Sequence, residues 1–364
     1  MFRQNNSRHI RKLAALVSCV VLLVSVLLSS SSALASPQAS RPTSRTEASS
    51  PLKLVKESNT RDCPALPANF NPATASDQEI SHYHLSPRPK SGPLRTHWIQ
   101  VHQHIRRIIC THFVGQGTAN PSPLENCIPP SGTTCNYNWS GYYAGDGSEP
   151  GYNEVSGSWT VPEMDGSTPS DSQYLIWDGL GGALPKSHPE NLWQAGTGWT
   201  SSLGYFAWLE AVGPNGTFGY ELVGAVSHND PMTVTLWFDS GGAYYEIVDS
   251  NPLTGFTISG DAPTGFQSGN LTADWIDERP DCKSGSFYKL ADFRYSGWKY
   301  ADAIPNQQGA GFEPIGSLPH TRLWIGDKGL GTTRLAWADR LGSNGSGTDN
   351  FLDHWENLGS SQCG

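Results

Sequence analysis

Short apolar runs that alternate with polar residues fill the chain from about residue 136 to its end. Gly, Pro, Asn and Asp separate these runs, and all four residue types favour turns. Successive side chains of a strand point to opposite faces, so a period of two predicts strands with one buried face. The clearest runs are 204–210, 232–239, 243–248 and 271–278. Strands at this spacing predict an all-β sandwich or barrel.

The composition also favours an all-β fold. Charged residues make up 16% of the chain, which contains 39 Gly and 13 Trp. A chain that is rich in glycine and aromatic residues but poor in charge suits strands joined by turns. The 364 residues could form two average domains, yet β-rich folds often use about 200 or more residues for one. We therefore expect one large β domain.

Charge is divided unevenly along the chain. Residues 134–364 contain 27 acidic and 10 basic residues, a net charge of −17. The preceding residues contain 6 acidic and 14 basic residues, a net charge of +8, and the two parts add to the −9 of the whole chain. A carboxylate-rich surface approaches neutrality as the pH falls towards about 4, which suits an acidic medium. The same surface argues against a nucleic acid as partner.

Residues 1–35 have the features of a secretory signal peptide. Basic residues come first, an apolar core follows over 13–28, and the small-residue pattern A-L-A occupies 33–35. An uncleaved membrane anchor is the alternative. No other stretch has the roughly 18 apolar residues that a membrane-spanning helix needs. We therefore expect a soluble, secreted, extracellular protein that does not bind membranes after cleavage.

Seven cysteines become six once Cys19 is removed with the signal peptide. The six are Cys63, Cys110, Cys127, Cys135, Cys282 and Cys363. An even number in an oxidising compartment predicts disulfides, although the sequence does not select the pairing. Their spacing does not match the C-x-x-C pairs of structural zinc sites. We expect neither a metal nor another cofactor.

Residues 36–132 differ in composition from the rest of the chain. Their first part is rich in Ser and Pro, which predicts disorder, whereas residues 94–110 have apolar residues near helical spacing and predict a short basic amphipathic helix. A second Pro-rich run at 121–132 indicates a linker. A basic exported segment ahead of an acidic domain indicates a propeptide at 36–132 and a domain at 133–364.

Six of the eleven histidines lie in this basic segment. They are His82, His84, His97, His102, His104 and His112. Surface histidines scattered on a helix are the simpler interpretation, and a metal site is the alternative.

Polar and aromatic residues share one face on several predicted strands. Alternation places Gln194 on the face opposite to its Trp neighbour, and it places Glu210 on the same face as Trp208. Glu278 shares a face with Asp274. An amide buried without hydrogen-bond partners costs about 1–3 kcal/mol. We therefore expect a Gln within an apolar, Trp-flanked segment to have a functional role. Alone, a Gln on a strand and a Glu at a strand end are usually solvent-exposed.

Six motifs occur in a fixed order within the domain. They are N-W-S-G-Y-Y-A at 138–144, V-S-G-S-W-T-V-P at 155–162, W-D-G-L-G-G at 177–182, L-W-Q-A-G at 192–196, Y-F-A-W-L-E at 205–210 and A-D-W-I-D-E at 273–278. In this order they resemble the motifs of the glutamic peptidases, the G1 or eqolisin family. Several motifs in register are much more specific than any one of them.

The resemblance implies a secreted, acid-acting endopeptidase with a lectin-like antiparallel β-sandwich and a basic propeptide. It implies a catalytic dyad of Gln194 and Glu278. It also implies a substrate cleft lined by Trp177, Trp208 and Glu210. The partners would be polypeptide substrates, and we expect a monomer.

These residue types suit peptide hydrolysis in acid. A carboxylate at Glu278 can take a proton from the attacking water as general base and return it to the departing amine as general acid. With a pKa near the ordinary value of about 4.3, an ionised fraction would survive at a pH of about 3–4. The amide of Gln194 can donate to the tetrahedral oxyanion without titrating, which is worth about 10²–10³ in rate.

Four positions depart from the usual residues of the family and bear on subsite preference and pH optimum: Asp178, Gly181, Gly198 and Asp277. Two other functions also fit a Trp-rich β-sandwich. One is a carbohydrate-binding module without catalysis. The other is a glycosidase that uses Glu210 and Glu278, which needs carboxyl groups either about 5–5.5 Å or about 6.5–9.5 Å apart.

The opposite charges of the two parts of the chain predict an interaction between them. We expect residues 36 to about 132 to cover the cleft near neutral pH as an intramolecular inhibitor. Protonation of the domain's carboxylates would then release them in acid.

Overall fold

Two β-sheets packed face to face form the body of the protein in the computed structural model. The structure describes residues 60–61, 63–105, 107–113, 133–147, 150–184, 191–213, 218–266, 269–283, 286–328, 333–342 and 348–363. These residues belong to one compact unit, Ser49–Gly364. The predicted signal peptide and the linker at 121–132 lie outside the described residues.

Two helices and two short strands make up residues 60–113, which we call the N-terminal segment. They are β1 (Thr60–Arg61), α1 (Asp77–His82), α2 (Gly92–His102) and β2 (Ile108–His112). Ser76 and Glu79 form a capping box at the start of α1, and a proline stands in the first turn of α2. The helix predicted over 94–110 ends at His102, because residues 108–112 pair with the edge of a sheet.

Nineteen further strands follow among the described residues. They are β3 (Thr134–Asn136), β4 (Trp139–Ala144), β5 (Tyr152–Thr160), β6 (Ser172–Leu180), β7 (Leu192–Thr200), β8 (Gly204–Val212), β9 (Phe218–Ala225), β10 (Pro231–Asp239), β11 (Gly242–Asp249), β12 (Thr257–Asp261), β13 (Ala273–Glu278), β14 (Asp281–Lys283), β15 (Ser286–Phe287), β16 (Lys289–Leu290), β17 (Tyr295–Pro305), β18 (Glu313–Pro314), β19 (His320–Gly326), β20 (Arg334–Ala338) and β21 (Phe351–Trp355). A 3₁₀ helix spans Ile315–Ser317. Strands β8, β10, β11 and β13 lie where the sequence predicts strands, and the all-β fold class is confirmed.

The back sheet has the order β1, β2, β12, β11, β10, β5, β17, β18. Its neighbouring strands are antiparallel except for β2 and β12, which are parallel. The N-terminal segment therefore supplies the last two strands at one edge. Covering the edge of β12 in this way satisfies backbone groups that would otherwise offer a template for aggregation.

The front sheet has the order β9, β8, β7, β6, β13, β4, β19, β20, β21 and the first part of β17. Short parallel pairs add β3 beside β19 and β16 beside β6, and β14 with β15 forms a separate hairpin. Residues 295–298 of β17 pair with β21, and residues 299–305 pair with β5 in the back sheet. A bulge marks this change of sheet, where Tyr300 has a φ of 53°.

Side-chain alternation separates the core from two outer faces. On β5, Val155 and Trp159 enter the core between the sheets, and the indole of Trp159 donates to Thr197 on β7 at 3.0 Å. On β7, Trp193 packs edge-on against Tyr245 of the back sheet. The alternate residues must then point outward, as Gln194 does on the front sheet. The molecule is a β-sandwich with a front face and a back face.

Carboxyl groups lie inside the core as well as on its surfaces. Asp277 accepts hydrogen bonds from Tyr174, from Ser296 at 2.8 Å and from Trp298 at 2.9 Å. Burial raises the pKa of Asp277 to about 6 and that of Asp178 well above its ordinary range. Two of the four departures from the family pattern, Asp178 and Asp277, are thus core residues that point away from the front face.

Disulfides tie down two parts of the chain. Cys63 is bonded to Cys110 within the N-terminal segment, and Cys282 is bonded to Cys363 near the end of the chain. Cys135 is also in a disulfide. The expectation of disulfides is confirmed. Among the described residues, no helix is both long enough and apolar enough to cross a bilayer.

The buried carboxyl groups predict how stability depends on pH. A pKa that is raised by folding means that the folded state binds more protons than the unfolded state between the two pKa values. The contribution of these carboxyl groups to stability is then fully present below about pH 4. It is lost as the pH rises through their pKa values in the folded state. Burial, followed by the charge of Asp349, raises the pKa of Asp302 to about 7. We expect thermal unfolding, followed by circular dichroism, to show the highest Tm near pH 4 and a lower Tm at pH 7.

The variant Asp302→Asn keeps the shape of a protonated carboxyl at all pH values. It should lose less stability than the parent between pH 4 and 7, by on the order of 1–3 kcal/mol. A Tm that rises towards neutral pH in both proteins would contradict this account of the buried carboxyl groups.

Candidate active site

An aromatic and apolar cluster covers the front face. It comprises Trp139, Trp177, Ala183, Leu192, Phe206, Trp208, Val212, Ile276 and Leu323. The cluster extends over β4, β6, β7, β8, β13 and β19, so its residues are distant in sequence. Side-chain alternation along these strands brings them to one surface. Two predicted cleft residues, Trp177 and Trp208, belong to this cluster.

Strand register places the predicted polar residues within this cluster. Gln194 on β7 stands directly opposite Glu210 on β8, in the same row as Gly179 on β6. Glu278, the last residue of β13, stands opposite Leu175 on β6. The predicted dyad therefore comes from β7 and β13, which flank β6, and both of its side chains point to the front face.

Glycines clear the surface between the two rows. A Cβ on Gly196 would lie 2.0 Å from the carbonyl oxygen of Ile176. A Cβ on Gly198 would lie 2.5 Å from Leu175 and 2.8 Å from Phe206. Strand β7 thus carries no side chain on its outer face between Gln194 and the row of Glu278. The departure at Gly198 has a steric reason, because a larger residue would collide with these neighbours.

Gln194 is held by one hydrogen bond and has capacity for more. Its Nε2 donates to Oε2 of Glu210 at 2.7 Å. Its side chain is almost fully buried, and its Oε1 has no hydrogen-bond partner among the described residues. A buried amide oxygen without a partner is costly unless a ligand or a water satisfies it. The amide also keeps a second N–H, since one NH₂ group carries two donors.

Glu278 is oriented by tryptophan. The indole N–H of Trp177 donates to its Oε2 at 2.7 Å, and Trp139 packs edge-on against Trp177 at 5.0 Å between ring centroids. Burial and the charge of Glu210 raise the pKa of Glu278 to about 8, although the bond from Trp177 opposes this. The carboxyl therefore carries its proton in acid. The expectation of a pKa near 4.3 is wrong, because the aromatic surroundings disfavour the charged form.

Glu210 has a similar environment. Burial raises its pKa to about 7, against the hydrogen bond from Gln194, and the charge of Asp281 adds to the rise. Both glutamates keep some solvent exposure, so protons and water reach them. The front face thus presents two carboxyl groups and one amide, all uncharged in acid.

Two contributing residues were not identified from the sequence. Trp139 lies in the quoted N-W-S-G motif, but its contact with Trp177 depends on the pairing of β4 with β13. Asp281 follows Glu278 closely in the chain and raises the pKa of both glutamates. The negative charge of Asp281 and its position close to Glu278 in the sequence were the features that could have identified it.

The buried Arg279 fixes the end of β13. Its guanidinium donates to the carbonyl oxygens of Tyr288, at 2.6 Å, and Ser360, and it lies 3.9 Å from Asp327. The chain after Glu278 is held further by the disulfide from Cys282. This anchoring limits the positions that the neighbouring Glu278 can adopt.

Comparison with known proteins identifies the family. Residues 137–316 match the sequence model of the peptidase A4 family. Residues 137–316 of this chain belong to that family. The matched range contains all six motifs and all five predicted site residues, so the assignment as a peptide hydrolase, a glutamic peptidase of family G1, is confirmed.

Two solved structures are similar to this chain. One is scytalido-glutamic peptidase with a peptide-based transition-state analogue, at 16% identity and a TM-score of 0.48. The other is SCP-B, a member of the eqolisin family, in complex with the tripeptide Ala-Ile-His, at 16% identity and a TM-score of 0.46. Each comparison covers 60% of this chain and 98% of the other. No curated protein sequence matches the chain.

The family assignment favours the peptidase over both alternatives, the carbohydrate-binding module and the glycosidase. Within the described part of the chain, no cluster of three or more His, Cys, Asp or Glu side chains could hold a metal ion.

The N-terminal segment does not lie on the front face. His97 is within hydrogen-bond distance of Ser158 and Thr233, and His102 contacts Glu246, all on the back face. For residues 63–105 and 107–113, the expectation that this segment covers the cleft is therefore wrong. His97 and His102 are also not surface histidines, because α2 packs them against the sheet.

The contact between Glu210 and Gln194 generates a test of the site. The variant Glu210→Gln keeps an oxygen that accepts from Gln194 but removes the charge, so the pKa of Glu278 should fall by about one unit or more. The variant Glu210→Ala removes both the charge and the contact. Carbon-13 NMR titration of the glutamate carboxyls, with Glu278→Gln to assign the signal, measures this pKa. A signal from Glu278 that titrates near 4.3 in the parent protein would contradict the account.

Proposed function

We propose that this protein is a secreted, acid-acting endopeptidase in which Gln194 and Glu278 act together on one peptide bond. The observation that supports the proposal is that a buried amide, with one oxygen and one N–H available, lies on the same face as a carboxyl group whose pKa is raised by burial. The residues of this pair were also implied by the family resemblance. The aromatic cluster around them offers a surface for polypeptide side chains.

In the first step, Glu278 acts as an acid. Its proton passes to the carbonyl oxygen of the scissile peptide bond while a water, oriented by Oε1 of Gln194, attacks the carbonyl carbon. The resulting carboxylate then takes the extra proton of the added water, so that Glu278 is protonated again. The free N–H of Gln194 stabilises the oxygen on which negative charge develops. One water is added, and the intermediate is a neutral diol.

In the second step, Glu278 donates its proton to the nitrogen of the leaving amine as the C–N bond breaks. The carboxylate recovers a proton from one hydroxyl of the diol, which leaves a carboxylic acid product. Glu278 begins and ends the cycle protonated, so the cycle suits a pH well below its pKa. Glu210 holds the amide of Gln194 in place throughout and does not exchange protons with the substrate.

Secretion and acid action rest on separate supports. The signal-like sequence at 1–35 supports export, and the net charge of −17 over residues 134–364 supports an acidic medium. The raised pKa of Glu278 supports activity in acid for a different reason from the one expected from the sequence. The protonated carboxyl is the starting form of the catalyst and not its inactive form.

Two substitutions test the dyad. With denatured casein at pH 4 and pepstatin present, Glu278→Gln should lower kcat by at least about 10³, because one group transfers protons in both steps. Gln194→Ala should lower kcat by about 10²–10³. The exposed Glu163 provides a matched control, and Glu163→Gln should leave the rate unchanged. Parent-like hydrolysis by Glu278→Gln would rule out the proposed dyad.

The pH dependence tests the role of Glu278 as the initial acid. For a short peptide substrate, kcat/KM should hold from pH 4 to 6 and then fall as Glu278 loses its proton, with an apparent pKa of about 8. Circular dichroism at each pH separates this loss from unfolding. A rate that rises about tenfold per pH unit between 4 and 7 would show a general base instead and would contradict the mechanism.

A further inference from the structure

The back face of the sandwich is covered by the N-terminal segment. On β5, Glu154, Ser156 and Ser158 point outward and are nevertheless buried. A small cavity beneath α2 is lined by Glu154, Trp98 and Phe312, among others. An outer sheet face buried to this extent is an interface, and its occupant is residues 63–113 of the same chain.

The strand of this segment reaches into the core of the sandwich. The hydroxyl of Thr111 on β2 is hydrogen-bonded to that of Tyr245, a fully buried core residue. Phe113 packs edge-on against Trp193, the neighbour of Gln194 on the opposite side of β7. Removing the segment would expose both core aromatics as well as the edge of β12. The segment therefore completes the core and does not merely rest on it.

The helix α2 adds a buried polar contact. His102 and Glu246 are both almost fully buried, with Nε2 at 3.1 and 3.2 Å from the two carboxyl oxygens. Nδ1 of His102 lies 2.7 Å from the carbonyl oxygen of Trp98, which can only accept, so Nδ1 carries a hydrogen. Either Nε2 or the carboxyl must then supply the hydrogen between them. The hydroxyl of Ser86 donates to the same carboxyl at 2.5 Å. A hydrogen bond therefore joins these two buried side chains across the interface.

His97 and Glu154 respond to acid in opposite directions. Burial, followed by the positive charges of His102 and Lys299, lowers the pKa of His97 to about 4. Burial and the charge of Glu246 raise the pKa of Glu154 well above its ordinary range. On docking, His97 therefore releases a proton between about pH 6.5 and 4, while Glu154 takes one up above about 4.5. The two contributions therefore oppose each other.

We propose that the back face is a docking surface for residues 63–113 and that they stay bound there in acid as a permanent part of the folded protein. His97 also stacks on Tyr300 at 4.1 Å, the residue at the bulge where β17 changes sheets. The segment thus braces the strand that joins the two sheets. It leaves the front face uncovered, so its retention is compatible with access to Gln194 and Glu278.

Dissociation of a cut chain tests the proposal. A recognition sequence for a specific protease is inserted after residue 117, so that neither Cys63–Cys110 nor Cys282–Cys363 spans the cut. The Glu278→Gln background prevents self-cleavage, and the measurement does not require activity. After cleavage of the folded protein, the N-terminal piece should co-elute with the sandwich in size-exclusion chromatography at micromolar concentration from pH 4 to 6.5. Separate elution at pH 4 to 5 would overturn the proposal.

Single substitutions at His97 and Glu154 each remove one of the two opposing changes in protonation on docking. With Glu154→Gln, the proton uptake at Glu154 is removed and the release at His97 remains, so the dissociation constant should rise by tenfold or more, up to about a hundredfold, between pH 6.5 and 4.5. With His97→Gln, the proton release at His97 is removed and the uptake at Glu154 remains, so the constant should fall over the same range. The exposed His104, which follows the end of α2, is the matched control, and His104→Gln should behave as the parent. Opposite responses cannot both arise from misfolding, and equal responses in the two variants would contradict the proposal.

Discussion

Carboxyl groups are buried without a matching positive charge at three places in this protein, and this burial determines how the protein responds to pH. Asp277 lies in the core, Glu278 on the front face and Glu154 beneath the N-terminal segment, and burial is the largest cause of the raised pKa at each. A carboxyl in such a place costs least when it carries its proton. The folded protein therefore prefers acid in its core and at its site, whereas at the docking surface the lowered pKa of His97 opposes the raised pKa of Glu154.

This preference connects stability with chemistry. A peptidase that acts in acid needs a catalytic group that still works when histidine is fully protonated, and a neutral carboxyl beside a neutral amide meets that need. The amide of Gln194 brings no charge of its own, so it can lie beside Glu210 without creating a repulsive pair. The tryptophans that line the face make the surroundings of Glu278 apolar, and Trp177 orients its carboxyl through the indole N–H. Burial by the aromatic cluster thus raises the pKa of Glu278, and the hydrogen bond from Trp177 fixes its geometry.

Much of the fold followed from the period-two pattern. Alternation placed Gln194, Glu210 and Glu278 on one face, because a strand surrounded by core on its other side has no alternative. The sequence could not show that Asp178 and Asp277 are core residues with partners on distant strands, nor that Glu278 has a raised pKa. Both depend on which strands become neighbours, and motif spacing along the chain does not contain that information.

The N-terminal segment shows a different reason for error. Its positive charge predicts an interaction with the negatively charged domain. A net charge does not specify which surface of the domain is contacted, so the sequence could not distinguish the front face from the back face. The helix was predicted too long because Ile108 and Ile109 suit a helix face and a strand equally well. Pairing with β12, which is far away in sequence, decided the outcome.

A crystal structure of the Glu278→Gln variant with an uncleaved peptide at pH 4 would test the joint action of Gln194 and Glu278 most directly. The account predicts the scissile carbonyl oxygen within hydrogen-bond distance of Nε2 of Gln194, about 2.7–3.2 Å, with the substituted side chain at the same carbonyl. A peptide bound away from the front face, or a carbonyl that reaches only one of the two side chains, would contradict it.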